Sequence, residues 1–384
     1  MSIWTAMTML TGSLITGFLF FRYVWILGLP PLANLVILAG FLSMGVTPLF
    51  TSYRFENLLG SFYPFYRYSL YFIFVGCVVL LGLTLFFDAA WLVAHKAGWI
   101  ECLPYSKESC LRYNLFIIGL AVCCTFYALY AGTKVPEIKE ITVASPKITS
   151  PRTAILLSDL HIHRVLNPDK IKGIIRRTNA QNPDIILLSG DILDDNVRRI
   201  AATTALLKGL KAKDGIYFVT GNHEFYAGYQ PTINELKKLG FRFLENNGVD
   251  LNDIWLAGVP DLTAGGIYGR QIKLASAFAG AAPHQFRLLM SHTPTDFGGN
   301  TDFDLEVSGH THGGQIFPFH IFAWLHNRYL TGMYRLNRGA SLYVSNGAGQ
   351  WGPQMRFLAP SEITVIKLVP QPTTKIKTQQ TTKD

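Results

Sequence analysis

The sequence predicts an α/β protein: a two-sheet β-sandwich flanked by helices, preceded by an all-α transmembrane region of about four helices. Three observations predict it. Long uncharged apolar runs are confined to residues 1–133. Between 153 and 222, short apolar runs alternate with amphipathic stretches in the order β-α-β-α-β, which implies parallel strands joined by right-handed crossovers. From 253 onward, strand-like runs follow one another with few helices between them, which predicts a second sheet packed on the first.

The charged share of the 384 residues is 15%, against about 25% in an average soluble domain, and the deficit lies in the N-terminal third. The net charge of +9 suits anionic lipid or an anionic substrate. There is no basic stripe interleaved with aromatics, so a nucleic-acid partner is not expected.

The membrane region is read first. "YSLYFIFVGCVVLLGLTLFF" (68–87) and "YNLFIIGLAVCCTFYALYAGT" (113–133) carry no charge, and each meets the roughly 20 residues that a bilayer core requires. Residues 32–50, behind Pro30 and Pro31, predict another span. Residues 5–28 predict the first, with Arg22 snorkelling to headgroups. The first 21 residues lack the basic start of a cleaved signal. An even number of spans puts the N-terminus and the C-terminal domain on one side, with Arg54, Arg67, Lys134, Lys139, Lys147 and Arg152. Positive-inside bias makes that side cytoplasmic, which predicts a multi-pass protein of the cell (inner) membrane.

A linker is expected over 134–150, a globular domain over 151–369 and a polar, disordered tail over 370–384. Within the domain, strands are expected at 153–159, 183–191 and 214–222, separated by helices at 168–180 and 197–210. Further strands are expected at 253–259, 286–291, 303–309, 341–346 and 362–368.

Residues of metal-ligand type stand at the ends of these strands. "SDLH" supplies Asp159 and His161, "SGD" supplies Asp191, and "TGNHE" supplies Asn222, His223 and Glu224. "LLMSHTP" supplies His292, and "GHTHGGQ" supplies His310 and His312. Histidines two apart point the same way on extended chain and to roughly opposite sides of a helix, so each pair requires a non-helical turn. In open α/β sheets ligands bind outside the carboxyl ends of the strands. A single Asp after a strand is more often a cap or turn former, but five such endings in one domain are not. The C-terminal domain has no cysteine, so any metal there takes nitrogen and oxygen ligands.

The order D-x-H, G-D, G-N-H-E, a lone His, then G-H-x-H resembles the signature of calcineurin-like metallophosphoesterases. The resemblance covers about residues 150–368 and lies in five motifs: "DLH" (159–161), "GD" (190–191), "GNHE" (221–224), His292 and "GHTH" (309–312). "GGQ", "YVSNGAGQWG" and the multi-span region in front look like the bacterial membrane-associated subgroup. The resemblance implies the metallophosphoesterase fold and a metal-dependent phosphoric ester hydrolase with two divalent metal ions. One metal would take Asp159, His161, Asp191 and His312. The other would take Asp191, Asn222, His292 and His310, with Asp191 bridging. Mixed nitrogen and oxygen ligands suit manganese, with iron, zinc or cobalt as alternatives, better than magnesium or calcium. The family gives the position of His223 substrate contact and proton delivery to the leaving group, a role that a near-neutral pKa suits. Asp194 and Glu224 are either hydrogen-bonding partners that orient ligands or solvated caps.

The implied substrate is a phosphodiester or pyrophosphate, lipid-linked because the chain is membrane-anchored. The subgroup points to UDP-2,3-diacylglucosamine of lipid A synthesis. A protein or nucleotide phosphatase or phosphodiesterase at the membrane remains open. So does a class without catalysis, a membrane sensor that retains the fold, although every motif position here is filled. The stretch "IFPFHIFAWLH" (316–326) has two readings, core packing or an aromatic lip that touches the bilayer.

Overall fold

The uncharged runs of the N-terminal third fold as helices, which satisfy their backbone amides internally. In a computed structural model describing residues 3–45, 56–100, 107–299 and 302–371, the chain forms two units. One comprises 1–134, 311–330 and 349–361; the other comprises 135–310, 331–348 and 362–384.

In the first unit, α1 (Ile3–Leu19) continues through a π turn, Phe20–Val24, and a 3-10 turn, Trp25–Leu27. Gly28, at φ 64°, ends this path, and α2 (Pro31–Gly45) starts on a proline, where a missing N–H costs nothing. The long helices are α3 (Tyr63–Lys96) and α4 (Lys107–Thr133). They pack along each other through Phe72 on Phe126, Phe87 on Phe116 and Trp91 on Tyr113.

Two helical stretches, Gly60–Lys96 and Cys110–Thr133, are long and apolar enough to cross a membrane; Gly12–Val24 and Pro31–Leu42 are shorter apolar helices. The first two expected spans are described only in part: the apolar helix Gly12–Val24 runs on through the π turn, and positions 46–50 of the expected second span lie outside the described residues. Arg22 is paired with an acidic side chain. Its Nη2 stands 3.4 Å from Asp88 Oδ1, which also accepts from the Tyr113 hydroxyl at 2.8 Å.

The second unit holds two six-stranded sheets. The strands, in chain order, are β1 (Glu137–Ser145), β2 (Arg152–Leu157), β3 (Ile185–Ser189), β4 (Gly215–Val219), β5 (Arg242–Phe243), β6 (Asn247–Leu251), β7 (Ile254–Gly258), β8 (Phe286–Met290), β9 (Leu305–Ser308), β10 (Gly332–Arg335), β11 (Ser341–Val344) and β12 (Glu362–Pro370). One sheet runs β1-β12-β2-β3-β4-β5 and the other β10-β11-β9-β8-β7-β6. The pairs β2·β3, β3·β4, β7·β8 and β8·β9 are parallel. Helices α5 (Pro168–Asn179) and α6 (Val197–Ala205) make the first crossovers, and α7 (Asn222–Lys238) follows β4.

Alternation along the strands builds both cores. Ala154 and Leu156 of β2, with Ile185 and Leu187 of β3, pack against Leu256, Leu288, Leu305 and Val307 of the other sheet. Ile155, Leu157, Ile186 and Leu188 face the opposite way, onto Ile171, Ile174 and Ile200 of the helices. Strands buried on both faces read as continuous apolar runs, which is why these two were recognisable.

Residues 137–145, expected to lie in a linker, instead form the edge strand β1, paired in parallel with β12 from Glu137↔Glu362 to Ser145↔Pro370. The charges of "EIKEITVAS", Glu137, Lys139 and Glu140, disguise it, as edge strands often carry them. Beyond Gln371, the expected tail lies outside the described residues.

Candidate metal centre

The strand order brings the polar ends together. β2, β3 and β4 lie side by side, as do β8 and β9, so their carboxyl ends form one rim of the second unit. The pairing continues past the strands: Asp159 N donates to Gly190 O, His161 N to Asp191 O and Ile162 N to Ile192 O. The rim is conformationally costly. Asp159, His161, Asp191 and His310 all have φ between 45° and 69°, a region non-glycine residues seldom adopt. Such outliers persist only where their surroundings over-determine them, and they cluster at functional sites.

Asp191 sits at the middle of the rim. One carboxylate oxygen, Oδ2, has His292 Nε2 at 3.2 Å, His161 Nε2 at 3.7 Å and His223 Nε2 at 3.9 Å. The other, Oδ1, accepts from His223 N at 2.9 Å. Gly221 is required here, because a side chain on it would collide with Asp191 Oδ1. Asp191, His292 and His310 form one group able to hold a metal ion, and His161, Asp194 and His223 form another. His310 Nδ1 lies 3.1 Å from Asn222 Oδ1. Asp159 accepts from His310 N at 3.0 Å and from Ser158 Oγ at 2.5 Å, and its Oδ1 is 4.0 Å from His161 Nε2.

The donor set fits a cation. His292 Nδ1 is 2.8 Å from the Ser189 carbonyl. A carbonyl only accepts, so that nitrogen carries the proton and Nε2 carries the lone pair. Nε2 is buried, has no hydrogen-bond partner among the described residues, and faces the Asp191 carboxylate. A lone pair facing a carboxylate calls for positive charge between them. Burial disfavours a charged His292, yet Asp191 holds its pKa well above the usual range. Burial likewise opposes ionisation of Asp191, but His292 and His223 hold it well below the ordinary carboxylate value. His310 is held below the ordinary imidazole value by burial and by His292.

Two carboxylates hold this group in place. Asp194 Oδ1 stands 3.2 Å from His161 Nδ1 and in close contact with His223 Nδ1. Burial works against the charge of His223, but Asp191 and Asp194 raise its pKa to about 9. Glu224 is fully buried and accepts from four backbone amides. Asp191 N and Gly221 N donate to Oε2 at 2.9 and 2.7 Å, and Ile192 N and Leu193 N donate to Oε1 at 2.7 and 3.1 Å. Burial and the nearby Asp191 push Glu224 up to about 7 against the pull of those donors.

His312 belongs to the first unit, in the 3-10 turn His312–Gly314. There the structure reveals a residue that sequence reasoning missed. Arg356, 1% exposed, donates to His312 O at 3.1 Å, to Ala359 O at 3.0 Å and to Gly349 O at 2.6 Å. Its Nη2 also lies 3.2 Å from His312 Nδ1. The available signal was a single arginine in the otherwise uncharged run "GPQMRFLAP".

A family model described as calcineurin-like phosphoesterase matches residues 153–314. A Helicobacter pylori protein named as an uncharacterized metallophosphoesterase is 35% identical over 302 residues, 78% of this chain and 80% of its own length. A similarly named Campylobacter jejuni protein is 32% identical, covering 75% of this chain and 78% of its own. A Danio rerio transmembrane protein with metallophosphoesterase domain is 29% identical, covering 76% and 72%.

Proposed function

This chain belongs to the calcineurin-like phosphoesterase family and is a metal-dependent phosphoester hydrolase, and on that footing we propose that it is a membrane-anchored, binuclear enzyme cleaving a lipid-linked phosphodiester or pyrophosphate. The observation that carries the binuclear reading is the convergence of three imidazole nitrogens on one oxygen of Asp191, the carboxylate best placed to serve two cations. Asp159, His161, Asp191 and His312 would hold one ion; Asp191, Asn222, His292 and His310 would hold the other. His312 enters this set from the GHTH motif. Manganese is the ion the donor set suits best, with iron, zinc or cobalt next. When bound, such ions polarise the phosphoryl group and the attacking water and neutralise charge on the phosphoryl oxygens.

The chain's own residues do the rest. Asp194 orients the rings of His161 and His223 through their Nδ1 atoms. His223 is favoured in its protonated form by Asp194, which contacts its Nδ1. Its Nε2 is the atom left to deliver that proton to a leaving oxygen. Glu224 fixes the backbone on both sides of Asp191.

The apolar helices α3 and α4 support the membrane anchor. In our reading α1 and α2 complete a four-span region of the inner membrane, with the catalytic unit on the cytoplasmic side. UDP-2,3-diacylglucosamine is the specific substrate to try first. Detergent-purified protein with Mn²⁺ is assayed by mass spectrometry on that substrate and on bis-p-nitrophenyl phosphate, with Asp191→Asn as control. Release of UMP and lipid monophosphate, lost in the control, supports the whole reading. Cleavage of the artificial diester alone discards this substrate and keeps the hydrolase. No cleavage of either refutes the proposed activity.

A further inference from the structure

Residues 311–330 leave the metal-ligand motif and group with the apolar helices, which is unexpected for a loop of a catalytic domain. Ile316, Phe317 and Phe319 pack into the cluster formed by Val75, Val78 and Val79 of α3 and Ala121 and Ala128 of α4. The Phe317 ring lies directly on Gly82, where an added Cβ would stand 2.9 Å from Cε1. A second stretch pins it: Phe317 N donates to Phe357 O at 3.1 Å, and Phe357 N donates to Gln315 O at 2.9 Å.

The level of this contact matters. Gly82 lies inside the uncharged run 68–87, about 20 Å along α3 from Arg67 at roughly 1.5 Å per residue. Phe317 thus meets α3 well within its apolar length. The following helix, Phe319–Asn327, buries none of its residues. It presents Ile321, Phe322, Trp324 and Leu325 at 47–66% exposure. Four large apolar side chains on nine residues, beside a helix able to cross a bilayer, have hydrocarbon as their natural solvent. The same helix is tied to the metal-ligand turn: the backbone of His320 packs so tightly on Gly314 that no side chain fits there.

From this we propose that residues 316–327 are a membrane-inserted element, a short aromatic helix that leaves the His312 turn, enters the acyl layer beside α3 and presents lipid-linked phosphoesters to that turn. The occupant of its exposed face is the acyl region of the bilayer. The inference rests on the reading of α3 as a membrane span.

The test uses the full chain in vesicles containing a phospholipid with a diazirine near the end of one acyl chain, followed by photolysis and peptide mapping by mass spectrometry. The expected result is adducts within 319–327 and within 68–87, and none on the solvated helix α5. Adducts in 68–87 without any in 319–327 overturn the inference and leave the anchor standing. No adducts in 68–87 overturn the anchor, and the inference with it. A second readout covers the substrate claim. In Phe322→Ser/Leu325→Ser, turnover of a vesicle-held long-chain phosphodiester, divided by turnover of bis-p-nitrophenyl phosphate, should fall at least tenfold. An unchanged ratio would overturn that claim.

Discussion

Replacing Glu224 with glutamine tests how the rim is held. The native carboxylate accepts four backbone amides at 2.7–3.1 Å, from both sides of Asp191 and from Gly221. A glutamine of the same shape offers one oxygen and one NH₂, so two of the four amides would face a donor. Each buried amide left without an acceptor costs about 1–3 kcal/mol, giving a loss of about 2–6 kcal/mol. For a unit of this size, about 2–4 °C of melting temperature accompanies each kcal/mol, so a fall of roughly 5–20 °C is expected. Asp191 would lose its fixed backbone, so bound metal should fall as well. The assay is thermal unfolding in detergent with metal content measured on the same sample. A variant that melts within about 2 °C of the native chain and keeps its metal would refute the clamp.

Two further outcomes follow from other parts of the structure. Glu306 is fully buried in β9; it accepts from Ser308 Oγ, its Oε2 has no hydrogen-bond partner among the described residues, and burial pushes its pKa up to about 8. Its folded-state pKa lies above the unfolded value of about 4.3, so this group destabilises the fold progressively as pH rises from about 4.3 to 8. Glu306→Gln should therefore melt higher than the native chain by a margin that grows between pH 5 and pH 8, approaching about 5 kcal/mol at most; a margin independent of pH would contradict this. Arg356→Lys should lower turnover of bis-p-nitrophenyl phosphate at least tenfold, because an ammonium cannot reproduce the planar fork that serves the carbonyls of His312, Gly349 and Ala359; wild-type turnover would show that the fork is dispensable.

Much of the fold was legible because its signals are local. β2, β3 and β4 are apolar on both faces and end in polar motifs, so strand and rim residue could be read together. β1 was not legible, because an edge strand with Glu137, Lys139 and Glu140 looks like a solvated linker until β12, more than 200 residues later, is seen to pair with it. The role of Arg356 depends on a contact 44 residues away. Glu224 is named within GNHE, but its four backbone donors appear only when β3 and α7 are brought together. The aromatic run 316–326 allowed both a bilayer lip and core packing, and its association with α3 could not be read from it, because the same residues would serve equally well in a soluble core.

The most direct test of the central claim is the number of metal ions per chain. Native protein reconstituted with Mn²⁺, freed of excess metal and measured by inductively coupled plasma mass spectrometry should hold two ions. Asp191→Asn, without the carboxylate on which three imidazoles converge, should hold no more than one and be inactive. A native chain that hydrolyses phosphodiesters with a single ion, or an Asp191→Asn chain that retains two ions and full activity, would contradict the account.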